Sequence, residues 1–124
     1  MLNRIILIGR LTRDPELRHT PMGNPVASFI LAVDRPFRRA HGARETDFIP
    51  IVAWRKLGET VSRFVGKGRL VAVEGWLQVR KYERKDGTPG RTTEVIASSI
   101  RFLPDGKSRR DVDSGLVATV ATNQ

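Results

Sequence analysis

From Arg44 to Lys56 the chain reads Arg-Glu-Thr-Asp-Phe-Ile-Pro-Ile-Val-Ala-Trp-Arg-Lys, and its apolar positions follow the period of two that an extended strand imposes. Ile49, Ile51 and Ala53 fall on one side and make a plain core face. Thr46, Phe48, Pro50, Val52 and Trp54 fall on the other, so two aromatic rings lie away from the core, with Arg44 before them and Arg55 and Lys56 after. Flat rings beside cations suit unpaired bases, because every base has a π-face to stack and every nucleotide carries a phosphate. Rings in this pattern also cap small second cores, and this strand alone leaves the two readings even.

The same period recurs along the chain. Arg4 to Thr12 holds Ile5, Ile6, Leu7, Ile8 and Leu11 around Gly9, and a glycine inside a strand marks a tight bend of the kind small barrels need. Asp14-Pro15-Glu16 and Thr20-Pro21-Met22-Gly23-Asn24-Pro25 read as a turn-rich connection. Val26 to Asp34 is a strand with Ala27, Phe29, Leu31 and Val33 inward, and Arg35 to Ala43 is a polar tip that carries Phe37. Leu57, Val61, Phe64 and Val65 then repeat at helical spacing, with Gly66 and Gly68 to end the helix. From Arg69 to Tyr82 the odd positions Val71, Val73, Leu77 and Val79 predict a core face bent at Gly75, and Glu74, Trp76, Gln78, Arg80 and Tyr82 face the other way. Arg84-Lys85-Asp86-Gly87 and Gly90 form a basic hairpin loop, and Thr92 to Leu103 returns as the last strand.

Five strands, with one short helix between the third and fourth, is the element order of the OB-fold, an all-β five-stranded Greek-key barrel. The expected organisation is one barrel domain over residues 1–104 and a flexible tail over 105–124, where large apolar residues become sparse. No internal repeat is visible.

Composition narrows the chemistry. With 124 residues the chain is long enough to bury a core without staples, and the absence of cysteine excludes a disulfide framework and thiolate zinc sites. The apolar run at the start is too short for a signal sequence or a membrane span, so a cytoplasmic protein is expected. Twenty-two Lys and Arg against 13 Asp and Glu leave a formal charge of +9, mostly from arginine, and that excess points to a polyanionic partner.

These motifs also carry a resemblance. Asn3-Arg4-Ile5-Ile6-Leu7-Ile8-Gly9-Arg10-Leu11 followed by Asp14-Pro15-Glu16-Leu17-Arg18 resembles the amino-terminal signature of bacterial single-stranded DNA-binding proteins. Val26-Ala27-Ser28-Phe29, Trp54-Arg55-Lys56, Lys67-Gly68, Val73-Glu74-Gly75 and Thr93-Glu94-Val95 follow in the family's order, over roughly residues 1 to 103. The resemblance implies an OB-fold in a homotetramer that wraps single-stranded DNA, protecting it during replication, recombination and repair at the nucleoid. It also implies base-stacking at Phe37, Phe48, Trp54 and Tyr82, three of which the alternation and charge single out by themselves. Trp76 is singled out by alternation only, as a binding ring or a subunit contact. Arg4, Lys56, Lys67, Arg80, Lys81 and Lys85 are the cations expected to track phosphates, with about half of such charges being ordinary surface.

Three features depart from the family pattern. Pro50 can donate no ladder hydrogen bond, which implies an edge position, a bulge or a local break between the two rings. Ile49 stands where some relatives carry a polar side chain at a subunit contact. The family tail commonly finishes in an acidic tip ending in phenylalanine that recruits replication and repair proteins, whereas this sequence finishes Ala121-Thr122-Asn123-Gln124, as a shortened chain or as a paralogue without the tip.

Catalysis has little to stand on. Asp14 with Glu16, or Glu45 with Asp47, could share a metal ion for nuclease chemistry, but the first pair reads as turn chemistry and the second as surface charge. His19 and His41 lie in loops with no nucleophile at motif spacing, and no phosphate-binding glycine loop is present. A non-enzyme without cofactor or metal is expected. An OB-fold that bridges proteins is the alternative from another class.

Overall fold

The computed structural model describes residues 1–38, 42, 44–104 and 119–121, with the side chains of 37, 38 and 119–121 outside that description. The elements are β1 (Ile5–Leu11), β2 (Glu16–His19), β3 (Pro25–Arg38), β4 (Arg44–Trp54), α1 (Arg55–Phe64), β5 (Leu70–Glu83), β6 (Pro89–Phe102) and β7 (Thr119–Ala121). Pairing runs β1-β5-β6-β4-β3, and β1 meets β3 again at Arg10↔Ala32 and Leu11↔Leu31, which closes a five-stranded barrel. All neighbours are antiparallel except β4 and β6, which pair in parallel through Ile51↔Val95 and Val52↔Ile96. With α1 between the third and fourth barrel strands, β4 and β5, this is the OB-fold arrangement. Among the described residues no helix is long and apolar enough to cross a membrane.

Two glycines shape the barrel. At Gly9 a Cβ would stand 2.3 Å from the Ala32 carbonyl oxygen, so only glycine lets β1 approach β3 where the barrel closes. At Gly75 a Cβ would stand 1.9 Å from the Ile96 carbonyl oxygen, beside a shift in the β5–β6 register between Glu74 and Gly75. Both are the bends that the sequence predicts.

The interior is filled by Leu11, Phe29, Leu31, Ile51, Ala53, Val71, Val73, Val95, Ala97, Ile100 and Phe102 from the strands. Leu57, Val61 and Val65 of the helical region close one end. Ala27, Phe29 and Leu31 point inward as the alternation predicts, with Val33 packed at the margin.

Several expectations are corrected. Leu77 and Val79 are not core: they are 44% and 54% exposed, because β5 and β6 continue past the barrel as a hairpin whose inner face no other element covers among the described residues. Phe64 is 64% exposed although it keeps the spacing of the buried Leu57 and Val61, because it is the last residue of α1. The helix ends at Val65 in extended backbone, whose N–H bonds the Val61 carbonyl, with no glycine cap. The turn-rich connection contains a strand, β2, which pairs with β3 from Glu16↔Ser28 to His19↔Pro25. β3 runs on to Arg38 into the expected tip, with a register irregularity between Asp34 and Arg38. The tail expected over 105–124 lies outside the described residues except for Thr119–Ala121, which pair with β6 as β7. Pro50 stays in register opposite Ile30, while the pairing of β4 with β6 is confined to Ile51 and Val52. Of the three options for Pro50, the edge position is therefore the one adopted: it stands where β4 has no ladder partner on its second side.

Candidate nucleic-acid interface

Residues opposite one another in paired strands share a face, so the registers lay out the barrel's outer surface. Phe48, Pro50, Val52 and Trp54 of β4 stand opposite Ala32, Ile30, Ser28 and Val26 of β3. Their neighbours Ile51 and Ala53 are fully buried on the inner side. Phe48 is 65% exposed and so caps no second core in this chain. Trp54 is partly buried at the far end of the same row. Between the two rings lies a shallow hollow of about 80 Å³, lined by Ser28, Ile30, Pro50, Val52, Glu94 and Arg13 among others.

β5 supplies a second row. Trp76 stands opposite Ile96, which stands opposite Val52, so Trp76 shares the outer face with the β4 rings. Gln78, Arg80 and Tyr82 continue that side of β5 toward the hairpin tip. Tyr82 lies flat on Gly90: a Cβ there would be 2.6 Å from the ring carbon Cζ, so the absent side chain is what seats the ring. The Arg84 guanidinium is 5.9 Å from the ring centroid and also donates to the Pro89 carbonyl. The loop between is held by Asp86, whose carboxylate accepts from the Thr88 hydroxyl at 2.6 Å and the Thr88 N–H at 3.0 Å. Those hydrogen bonds, the hydroxyl's first, hold the Asp86 carboxyl below its ordinary range.

The expected cations divide into two sets. Arg4 is paired with Glu74, and Arg80 Nε donates to Glu94 Oε1 at 3.2 Å. Glu94 is only 7% exposed, so its carboxylate anchors the Arg80 stem on the face. Lys56, Lys67, Lys81 and Lys85 are exposed and make no ion pair among the described residues. On the far side of the hairpin Lys81, Arg84 and Arg91 line a recess of about 420 Å³ with Pro89 and Gly90 and no acidic residue. Phe37 has its backbone in β3 and its side chain outside the described residues. The acidic pair Glu45 and Asp47 is clasped by Arg35, which bonds Asp47 bidentately at 2.9 and 3.0 Å and also reaches Glu45. That hydrogen bonding holds the Asp47 carboxyl below its ordinary value.

Arg13 and Arg91 are not among the candidates read from the sequence, and Arg55 is noted there only as the cation that follows Trp54. Arg13 reaches the hollow only because β1 closes against β3, a contact without local signal. Arg91 faces Lys81 across the hairpin, and counting outward from the Arg84–Thr88 turn would have found it. Arg55 directly follows Trp54 and adopts a left-handed backbone, φ 55°, which non-glycine residues rarely take. It is exposed, so the turn aims its guanidinium into solvent at the end of the β4 row.

Comparison with known proteins completes the picture. The model of the "Single-strand binding protein family" matches residues 2–103. Single-stranded DNA-binding protein 3 of Listeria innocua is 52% identical over 103 residues, covering 83% of this chain and 64% of the relative. The single-stranded DNA-binding protein of Halalkalibacterium halodurans is 53% identical over 103 residues, covering 83% and 61%. Single-stranded DNA-binding protein 1 of Staphylococcus aureus strain Mu50 is 53% identical over 116 residues, covering 94% and 74%. The chain thus spans 64% and 61% of the length of the first two of these relatives. With a matched region that takes in every strand of the closed barrel, the chain belongs to the single-strand binding protein family.

Proposed function

We propose that this chain binds and protects single-stranded DNA without regard to sequence, in the service of replication, recombination and repair at the bacterial nucleoid. The observation that carries the reading is the outer barrel face. Phe48 and Trp54 stand away from the core, flanked by Lys56, Arg55 and Arg13, and Tyr82 lies on an exposed hairpin rich in unpaired cations. Phe48, Trp54 and Tyr82, with Phe37, stack on bases; Lys56, Lys67, Lys81 and Lys85 meet phosphates, and Arg4 and Arg80 do so once their ion pairs rearrange. Stacking ignores base identity, and duplex bases are already stacked, so selectivity for single strands follows.

The working particle is a homotetramer. Ile6 and Ile8 are 65% and 55% exposed on the outer side of β1, an apolar surface that a second copy would cover. One barrel covers only about 4–16 nucleotides, so several on one particle suit long strands.

The test is a titration of the chain with oligo(dT) and with a duplex of equal length, across a salt series. Tight binding to oligo(dT), weak binding to the duplex, and a slope of log affinity against log salt of about −0.7 per phosphate neutralised are expected. Equal affinity for both nucleic acids, or a flat salt response, would overturn the reading.

A further inference from the structure

We infer that Trp76 is a fifth base-stacking residue, which carries the DNA track from β4 across the barrel to β5. The inference rests on the single-stranded DNA reading above and adds a position to it. Its basis is the register. Trp76, Ile96 and Val52 stand side by side on three neighbouring strands, and strands about 4.8 Å apart put Trp76 about 10 Å from Val52.

Ile96 lies on the outer face yet is only 3% exposed in the isolated chain, so its cover comes from this chain's own side chains. Trp76, directly opposite Ile96 in the ladder, stands beside that covered apolar side chain. Trp76 is partly buried, in the same class as Trp54.

The surroundings separate this ring from the apolar patch on β1. Glu74, the preceding residue on that side of β5, pairs with Arg4, and this charged pair stands between Trp76 and Ile6 and Ile8. Toward β4 the row is unbroken and apolar through Ile96 and Val52.

The strands also run so that the rings match end to end. β4 is parallel to β6 and β5 antiparallel to it. Phe48 therefore lies toward the end where Tyr82 stands, and Trp54 toward the end where Trp76 stands. Each strand carries two aromatics six residues apart, about 20 Å, so the four rings mark the corners of one surface. A strand of DNA that leaves Trp54 meets a ring on β5 instead of running off the barrel.

Trp54 and Trp76 are the only tryptophans, so each can be read alone. Trp54→Phe leaves Trp76 as the sole indole, and Trp76→Phe leaves Trp54. Both full chains are titrated with oligo(dT) while indole emission is followed, and Trp76→Ala is assayed for affinity and for mass by sedimentation. The expected results are quenching in both single-tryptophan chains, a fall in affinity of Trp76→Ala of about 5- to 150-fold, and an unchanged mass. Quenching with Trp54 alone and none with Trp76 alone would overturn this inference and leave the function standing. Absence of quenching from Trp54 would count against the stacking function itself. A lower mass for Trp76→Ala would make the ring a subunit contact and overturn the inference as well.

Discussion

Phe48 and Leu57 show how differently two large apolar side chains serve this molecule. Phe48 is 65% exposed and Leu57 is fully buried under the barrel. Phe48→Ala should therefore change the folding free energy by no more than about 0.5 kcal/mol and cost about 1–3 kcal/mol of oligo(dT) binding. Leu57→Ala should show the converse, losing about 2–5 kcal/mol of stability with little change in the affinity of the folded fraction. Chemical denaturation and a binding isotherm on each variant check both. A second expectation concerns Asp47, whose carboxyl is lowered chiefly by its hydrogen bonds from Arg35. A lowered carboxyl favours the folded state at pH above its ordinary value, and that contribution disappears as the pH falls through the lowered value. NMR titration should find Asp47 ionising below the ordinary range in the parent chain and returning to it in Arg35→Ala.

At the scale of elements, the junction between β4 and α1 does most to join fold and function. Trp54 ends the strand, Arg55 turns the chain in a left-handed conformation, and Leu57 begins the buried stripe of the helix. A left-handed non-glycine residue costs about 1–2 kcal/mol, so Arg55→Gly should raise stability by about 1 kcal/mol. The same change removes a cation beside the stacking row, so affinity should fall and the salt slope should become shallower. Thermal melts and salt-dependent titrations of this variant read the two effects separately. A rise in Tm with unchanged binding would show that Arg55 only makes the turn. The β5–β6 hairpin is the second such element. Its outer side carries Tyr82 seated on Gly90, and its inner side leaves Leu77 and Val79 in solvent, as expected of strands that outrun the barrel they belong to.

At the scale of the whole molecule, one exposed apolar pair stands apart from the aromatic row. The outer side of β1 presents Ile6 and Ile8, whereas the cations gather at the start of α1 and on the hairpin. If the β1 surface is where copies meet, Ile6→Glu should lower the particle mass in sedimentation. It should also weaken binding to long strands more than to short ones, since a smaller particle offers fewer linked sites. An unchanged mass would place the subunit contacts elsewhere.

How much of this was open to a reader of the sequence follows from the range of the forces involved. Alternation is local, since successive side chains on a strand point to opposite sides. It assigned Ile51 and Ala53 inward and Phe48 and Trp54 outward, put the bends at Gly9 and Gly75, and arranged five strands and a helix in an order that only a few folds accept. The same local signal says nothing of whether a layer lies above a given face. Leu77 and Val79 alternate as core residues do and are nevertheless exposed, and Phe64 keeps helical spacing yet is exposed at the end of α1. Closure of β1 on β3, the hollow that gathers Arg13 with Glu94, and the row from Trp76 through Ile96 to Val52 all join residues distant in the chain. The sequence by itself determined which side chains turn away from the core. Only the barrel, by bringing separate strands into register, decided which of them share one surface.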